Sequence, residues 1–132
     1  MAKKSLRSTA GSSGARAAAV ARRRVLLTIG ELDAATEEAN RLLTQTRRKT
    51  RRVRQQIERG VSALDVTDST GMSDHRTTVN EAMVDLERAR HQFHRAMFLL
   101  AETEGSTKAE VGRAWGVSRQ LVSRMVAGRP HR

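Results

Sequence analysis

The chain is 132 residues long, with 25 Lys plus Arg against 14 Asp plus Glu, a formal net charge of +11, one Trp, two Phe, no Tyr and no Cys. That length is one domain's worth, which leaves no room for separate cofactor and substrate modules, and so few aromatics exclude a thick globular core. The missing cysteines exclude disulfides, thiolate zinc sites and a cysteine nucleophile, while a charge this positive calls for a polyanionic partner: nucleic acid, an acidic membrane or an acidic protein.

The charge is unevenly placed. Residues 1 to 60 carry fifteen basic and five acidic groups, residues 61 to 105 four and eight, and residues 106 to 132 six and one. Two basic segments therefore flank an acidic one. No apolar run approaches the roughly eighteen residues of a membrane span, so no membrane partner is expected. The acid-free, Ser/Arg/Ala-rich start has the composition of a transit peptide and equally of a basic arm. Twenty-one Arg to four Lys, with abundant Ala, Val and Gly, is the usage of a GC-rich bacterial genome, and a cytoplasmic, nucleoid-associated location is expected.

Residues 1 to 14 lack apolar periodicity and are rich in Ser and Gly, which reads as a flexible basic arm. From 15 to 64 there is no Pro, and small or apolar residues recur at alternating steps of four and three: Val25, Ile29, Leu32, Thr36, Ala39, Leu43, Thr46, Thr50, Val53, Ile57, Val61, Leu64. That spacing predicts one long, coiled-coil-like helix packed along a single stripe, on a second copy or on a later segment of the chain. Gly30 and Gly60 are candidate breaks, each costing about 1 kcal/mol relative to Ala. Residues 65 to 77 are polar and turn-forming and read as a loop. Thr78 with Glu81 reads as a capping box, opening a second helix to about Thr103 whose apolar face is Ala82, Leu86, Ala89, Phe93, Ala96, Leu100, broadened by Val79, Met83, Met97 and Phe98. Gly105 supplies the stop.

The segment from Thr107 to Gly128 carries the functional reading. Thr107 and Glu110 form a capping box for a short helix ending by Trp115. Gly116 sits where the chain must turn through a left-handed conformation. Ser118 is a good N-cap for the next helix, with Val117 and Val122 as a hydrophobic staple. Val111, Ala114, Trp115, Val117, Leu121, Val122 and Met125 supply a small core between the two helices, and Gly112 takes the position of closest approach. The outer face of the second helix then carries Ser118, Arg119, Gln120, Ser123 and Arg124. These side chains suit a DNA major groove, where Arg pairs with guanine and Gln with adenine. Thr107, Lys108, Arg113, Arg129 and Arg132 are candidate supporting contacts.

The stretch VGRAWGVSRQLVSRMVAG resembles the helix-turn-helix superfamily, whose pattern is a small residue, three variable ones, Gly, an aliphatic residue, Ser, and an aliphatic residue four places on. Gly112, Gly116, Val117, Ser118 and Val122 match it. The stretch is similar to the corresponding part of small actinobacterial regulators and of sigma-like and resolvase-type modules. It departs from them in having Gly112 where Ala is commoner and Trp115 where Leu is commoner. The resemblance covers about residues 90 to 130 and implies a double-stranded DNA partner read by helix 118 to 127.

Three further features of the sequence each admit a functional and a structural reading. Arg47, Arg48, Lys49, Arg51, Arg52 and Arg54 form a cationic cluster on the long helix, either a DNA-backbone contact or a solvated face paired with acids of the second helix. Gly128-Arg129-Pro130 has the form of a minor-groove arm as well as of ordinary helix termination, followed by a basic tail over 129 to 132. Glu87, His91 and His94 share a helix face, but with no fourth ligand they read as surface histidines rather than a metal site. No catalytic set and no cofactor motif is present.

The expectation is an all-α protein: a basic arm, a long helical hairpin or coiled-coil stalk, and a C-terminal helix-turn-helix in a helical domain over 78 to 128. Its expected role is non-enzymatic, sequence-specific DNA binding in bacterial transcriptional regulation, as a homodimer through the long helices. The alternatives are a nucleoid-associated or DNA-bridging protein of low sequence specificity, and an adaptor whose helices bind a protein partner.

Overall fold

A computed structural model describes residues 2 to 128, with side chains from residue 13 onward. The described residues form helices and turns and contain no strand: α1 (Ala2–Glu58), α2 (Ala63–Thr70), α3 (Met72–Thr103), α4 (Lys108–Trp115) and α5 (Arg119–Val126). None of these helices is long and apolar enough to cross a membrane. The chain divides into two units, one of Met1–Gly30 with Arg90–Arg132 and one of Glu31–Ala89. Both α1 and α3 contribute to each.

The basic arm expected over residues 1 to 14 falls, up to Ser12, where no side chain is described; the backbone of α1 is helical from Ala2, ahead of the expected start at Ala15. At its other end α1 stops at Glu58 rather than 64. Gly60 adopts φ +85°, and the Val61 N–H returns to the Gln56 carbonyl at 3.0 Å, a Schellman closure that satisfies an orphan carbonyl. Gly30 causes no break.

The loop expected over 65 to 77 is absent. Ser62 accepts from the Asp65 N–H and starts α2, and Gly71, at φ +64°, separates α2 from α3. The turn-forming residues in between are accommodated because their hydroxyls bond back to helix carbonyls: Thr67 to Ala63 at 2.8 Å and Thr70 to Val66 at 2.7 Å. Thr78 is likewise no cap, since it lies inside α3 and donates to the Asp74 carbonyl.

In the Glu31–Ala89 unit, α1 turns Leu32, Ala35, Ala39, Leu42, Thr46, Lys49, Val53 and Gln56 inward. Against them stand Val66 and Thr70 of α2 and His75, Ala82 and Ala89 of α3, all buried. The partner of this stripe is thus a later part of the same chain. In the other unit, Val25 of α1 packs with Ala96 and Leu100 of α3, bordered by Ala21, Phe93 and Met97, and Arg22 pairs with Glu104 at 2.7 Å.

Half of the expected α1 seam is misplaced by one residue. Val25, Leu32, Ala39, Thr46 and Val53 do face inward, but the intervening inward residues are Thr28, Ala35, Leu42, Lys49 and Gln56, not Ile29, Thr36, Leu43, Thr50 and Ile57. Leu42 is 2% exposed and Leu43 48%. The facing helix explains the choice. It places alanine at alternate seam positions, Ala82, Ala89 and Ala96, which favours close approach over bulk. Each polar inward residue has a partner: Thr28 donates to the Val25 carbonyl, Thr46 meets His75 Nε2 at 2.7 Å, Lys49 donates to the Thr70 carbonyl at 2.7 Å, and Gln56 accepts from Ser69. No buried polar side-chain atom among the described residues is left without a partner, as low-dielectric surroundings require.

Candidate nucleic-acid interface

The α4–α5 pair is fixed first by local chemistry. Thr107 Oγ1 accepts from the Glu110 N–H at 3.1 Å while Glu110 Oε1 accepts from the Thr107 N–H at 3.0 Å, a complete capping box. Hydrogen bonding to its carboxyl, first from the Thr107 N–H and then from the Thr107 hydroxyl, with the Arg113 charge adding to it, holds Glu110 below its usual range. Gly116 sits at φ +68°, a conformation costing most other residues about 1–2 kcal/mol, and the Val117 N–H closes onto the Gly112 carbonyl at 2.9 Å. Ser118 Oγ then accepts from the Leu121 N–H at 3.1 Å and starts α5. The turn is tight enough that a Cβ on Gly112 would stand 2.7 Å from the Val117 carbonyl oxygen.

Tertiary packing orients the pair. Val111 of α4 and Val122 and Met125 of α5 close around Phe98 of α3, with Ala101, Val117, Leu121 and Val126 at the border. Each fully buried member contributes roughly 1.5–3 kcal/mol of transfer free energy, enough to place two eight-residue helices that would not persist alone. Two expected core residues lie elsewhere: Ala114 and Trp115 are exposed. The Trp115 ring instead lies edge-on against Phe98, with centroids 5.3 Å apart, and against His94 at 4.9 Å. Phe98 takes the central place because it reaches in from α3, outside the two-helix motif.

One positioning residue gave no sequence signal. Arg95, on α3, sends Nε to the Met125 carbonyl at 3.0 Å and Nη2 to the Val126 carbonyl at 3.5 Å. A cation at these orphan carbonyls stabilises the end of α5 and ties it to α3. A contact spanning thirty positions leaves no local pattern to read.

With its inner face buried, α5 presents Arg119, Gln120, Ser123 and Arg124, together with the Ser118 cap, to solvent. Neither Arg119 nor Arg124 forms an ion pair among the described residues. Thr107 and Arg113 are also exposed, whereas Lys108 is half-buried and reaches Glu102 at 3.4 Å. Arg129 and Arg132, and with them the minor-groove arm, lie outside the described residues.

The other cationic cluster divides. Lys49 is part of the inward stripe, committed to the Thr70 carbonyl, so it is removed from the set of surface cations. Arg47, Arg48, Arg51, Arg52 and Arg54 are exposed. Only Arg54 has an acidic neighbour, Glu58 at 3.9 Å, with both side chains at least 70% exposed, a pair of little energetic weight. The acids of the second helix thus leave Arg47, Arg48, Arg51 and Arg52 unpaired among the described residues. The described residues hold no cluster of three His, Cys, Asp or Glu side chains placed to share an ion. No family model, curated protein or solved structure matches the chain.

Proposed function

We propose that α4 and α5 constitute a helix-turn-helix reading head and that the chain is a sequence-specific DNA-binding protein acting in bacterial transcriptional regulation, with α5 entering the major groove. The observation that carries this reading is the face of α5. Four outward side chains on two successive turns, Arg119, Gln120, Ser123 and Arg124, are hydrogen-bonding groups suited to base edges. The helix bearing them is fixed from behind by Val122, Met125 and Arg95. A reading helix needs this combination of a rigid inner face and unengaged outer donors. In this reading the exposed Thr107 and Arg113 are assigned to phosphates flanking the groove, and DNA binding of this kind needs neither catalytic group nor cofactor.

A second reading has its own support in the unpaired arginines at 47, 48, 51 and 52. Such a stripe follows a phosphate backbone without reading bases, as an architectural, nucleoid-associated or DNA-bridging protein would. Binding to selected and to random DNA across a salt series separates the two. Sequence-specific reading predicts a preferred site whose advantage over random DNA survives added salt. Affinity that collapses with salt and shows no preferred sequence would sink the regulator reading in favour of the architectural one.

A further inference from the structure

One surface of the Glu31–Ala89 unit is used neither by the inward stripe nor by the arginines at 48, 51 and 52. The residues once expected in the α1 seam form a second line along the helix, one heptad position away. Within this unit the line is Thr36, Leu43, Thr50 and Ile57, and about Leu43 it is symmetric in sequence, with a threonine seven residues to either side. Leu43 is 48% and Ile57 49% exposed, a heavy exposure for aliphatic side chains at regular spacing. Thr36 donates its hydroxyl to the Leu32 carbonyl at 2.8 Å and Thr50 donates its own to the Arg47 carbonyl at 3.1 Å. Both threonines have therefore spent their polar group on their own helix, and what they add to the line is a methyl.

We infer that this line is a homodimer interface in which α1 of one copy lies antiparallel to α1 of another, with the two-fold axis passing beside Leu43. The occupant is a second copy because the surface is complementary to itself. An isologous contact requires residue i to meet j and j to meet i, and about Leu43 the line meets that requirement, Thr36 of one copy facing Thr50 of the other. The bordering line agrees in charge. At heptad spacing it carries Asp33, Asn40, Arg47 and Arg54, so the same two-fold sets Asp33 of one copy beside Arg54 of the other and Asn40 beside Arg47. Asp33 has no ion pair among the described residues, and Arg54 has only its long contact to Glu58. A parallel pairing would put Arg54 beside Arg54 and Asp33 beside Asp33, which like-charge repulsion disfavours. The two-fold also fixes the symmetry of any DNA site read by two heads, as an inverted repeat.

The chain has no cysteine, so each introduced thiol is unique and needs no background substitution. In the full-length protein, Leu43→Cys should link to itself under mild oxidation or with a short bis-maleimide. Thr36→Cys alone should not, while an equal mixture of Thr36→Cys and Thr50→Cys should yield the mixed dimer. Sedimentation should give a dimer at tens of micromolar. Asp33→Arg should weaken it about tenfold and the exchange Asp33→Arg with Arg54→Asp restore it. A monomer in sedimentation, or self-linking of Thr36→Cys as ready as that of Leu43→Cys, overturns the proposal. None of these readouts involves DNA, so they stand apart from the function proposed above.

Discussion

Gly112→Val tests whether the turn between α4 and α5 is as tight as its geometry states. The first added carbon would lie 2.7 Å from the Val117 carbonyl oxygen, 3.5 Å from the Arg119 nitrogen and 3.6 Å from the Ser118 carbonyl carbon. All three are backbone atoms, so no flexible side chain can swing aside. The turn is also pinned to Gly112 itself by the 2.9 Å bond from the Val117 N–H. Overpacking of this kind costs about 1–3 kcal/mol or more, and a valine with its two further methyls belongs at the upper end. Better helix propensity returns only about 0.3–0.5 kcal/mol. The net loss of roughly 2 kcal/mol corresponds to a fall in Tm of about 5–10 °C for a chain this size. Trp115, the single tryptophan, sits at the end of α4 against Phe98 and His94, so its fluorescence reports melting of this pair directly. Gly30→Val is the matched control, since a Cβ there meets nothing within 4 Å, and it should leave Tm unchanged or slightly raised. If both valines behave alike, the close approach of the turn to α4 is refuted.

Three other perturbations follow from single contacts. Arg95→Ala removes the cation from the Met125 and Val126 carbonyls, so amide exchange over residues 122 to 127 should accelerate several-fold relative to α3; Arg95→Lys should recover part of the protection, and unchanged exchange in the alanine variant would show that the contact is idle. Glu110 is held below its usual range chiefly by the Thr107 N–H, a depressed folded value whose stabilisation is present above the unfolded carboxylate range and is lost as pH falls through the folded one. Its carboxyl resonance should therefore titrate at lower pH than that of an exposed, unpartnered glutamate, and Glu110→Gln should flatten the acid limb of α4 stability; an ordinary midpoint contradicts the capping box. Replacing Arg47, Arg48, Arg51 and Arg52 together should flatten the salt dependence of DNA binding, whereas Lys49→Met should leave that slope alone and lower Tm. The reverse assignment would undo the division of the cationic cluster.

What was legible in the sequence was what local chemistry decides. The capping box at Thr107 and Glu110, the left-handed Gly116 and the Ser118 cap each follow from a few neighbouring residues, and the structure holds all of them. The inward face of α3 was likewise readable, because its alanines and large apolar residues alternate with no competing line. On α1 two lines compete. Ile29, Leu43 and Ile57 are individually more apolar than Thr28, Lys49 and Gln56, yet the latter face inward because α3, His75 and the Thr70 carbonyl supply what they need. Composition alone also misread residues 65 to 77. Ser, Thr and Asp favour turns only while their side chains compete with the backbone, and here the threonines bond to the helix they sit in. Phe98 was readable as part of the apolar face of α3, but its packing against α4 and α5, like the Arg95 contact to the end of α5, rests on tertiary contacts that no window of sequence contains.

The central claim is that α5 reads bases, and selection of bound sequences from random double-stranded DNA tests it most directly. Wild-type protein should enrich a defined motif at moderate salt. Arg124→Ala, which removes a contact of the bidentate Arg–guanine kind worth about 1–3 kcal/mol or roughly 5- to 150-fold, should lose preference at one position of that motif while random DNA is bound nearly as before. No enriched motif, or an Arg124→Ala variant that enriches the same motif with an equal loss on random DNA, would contradict the account.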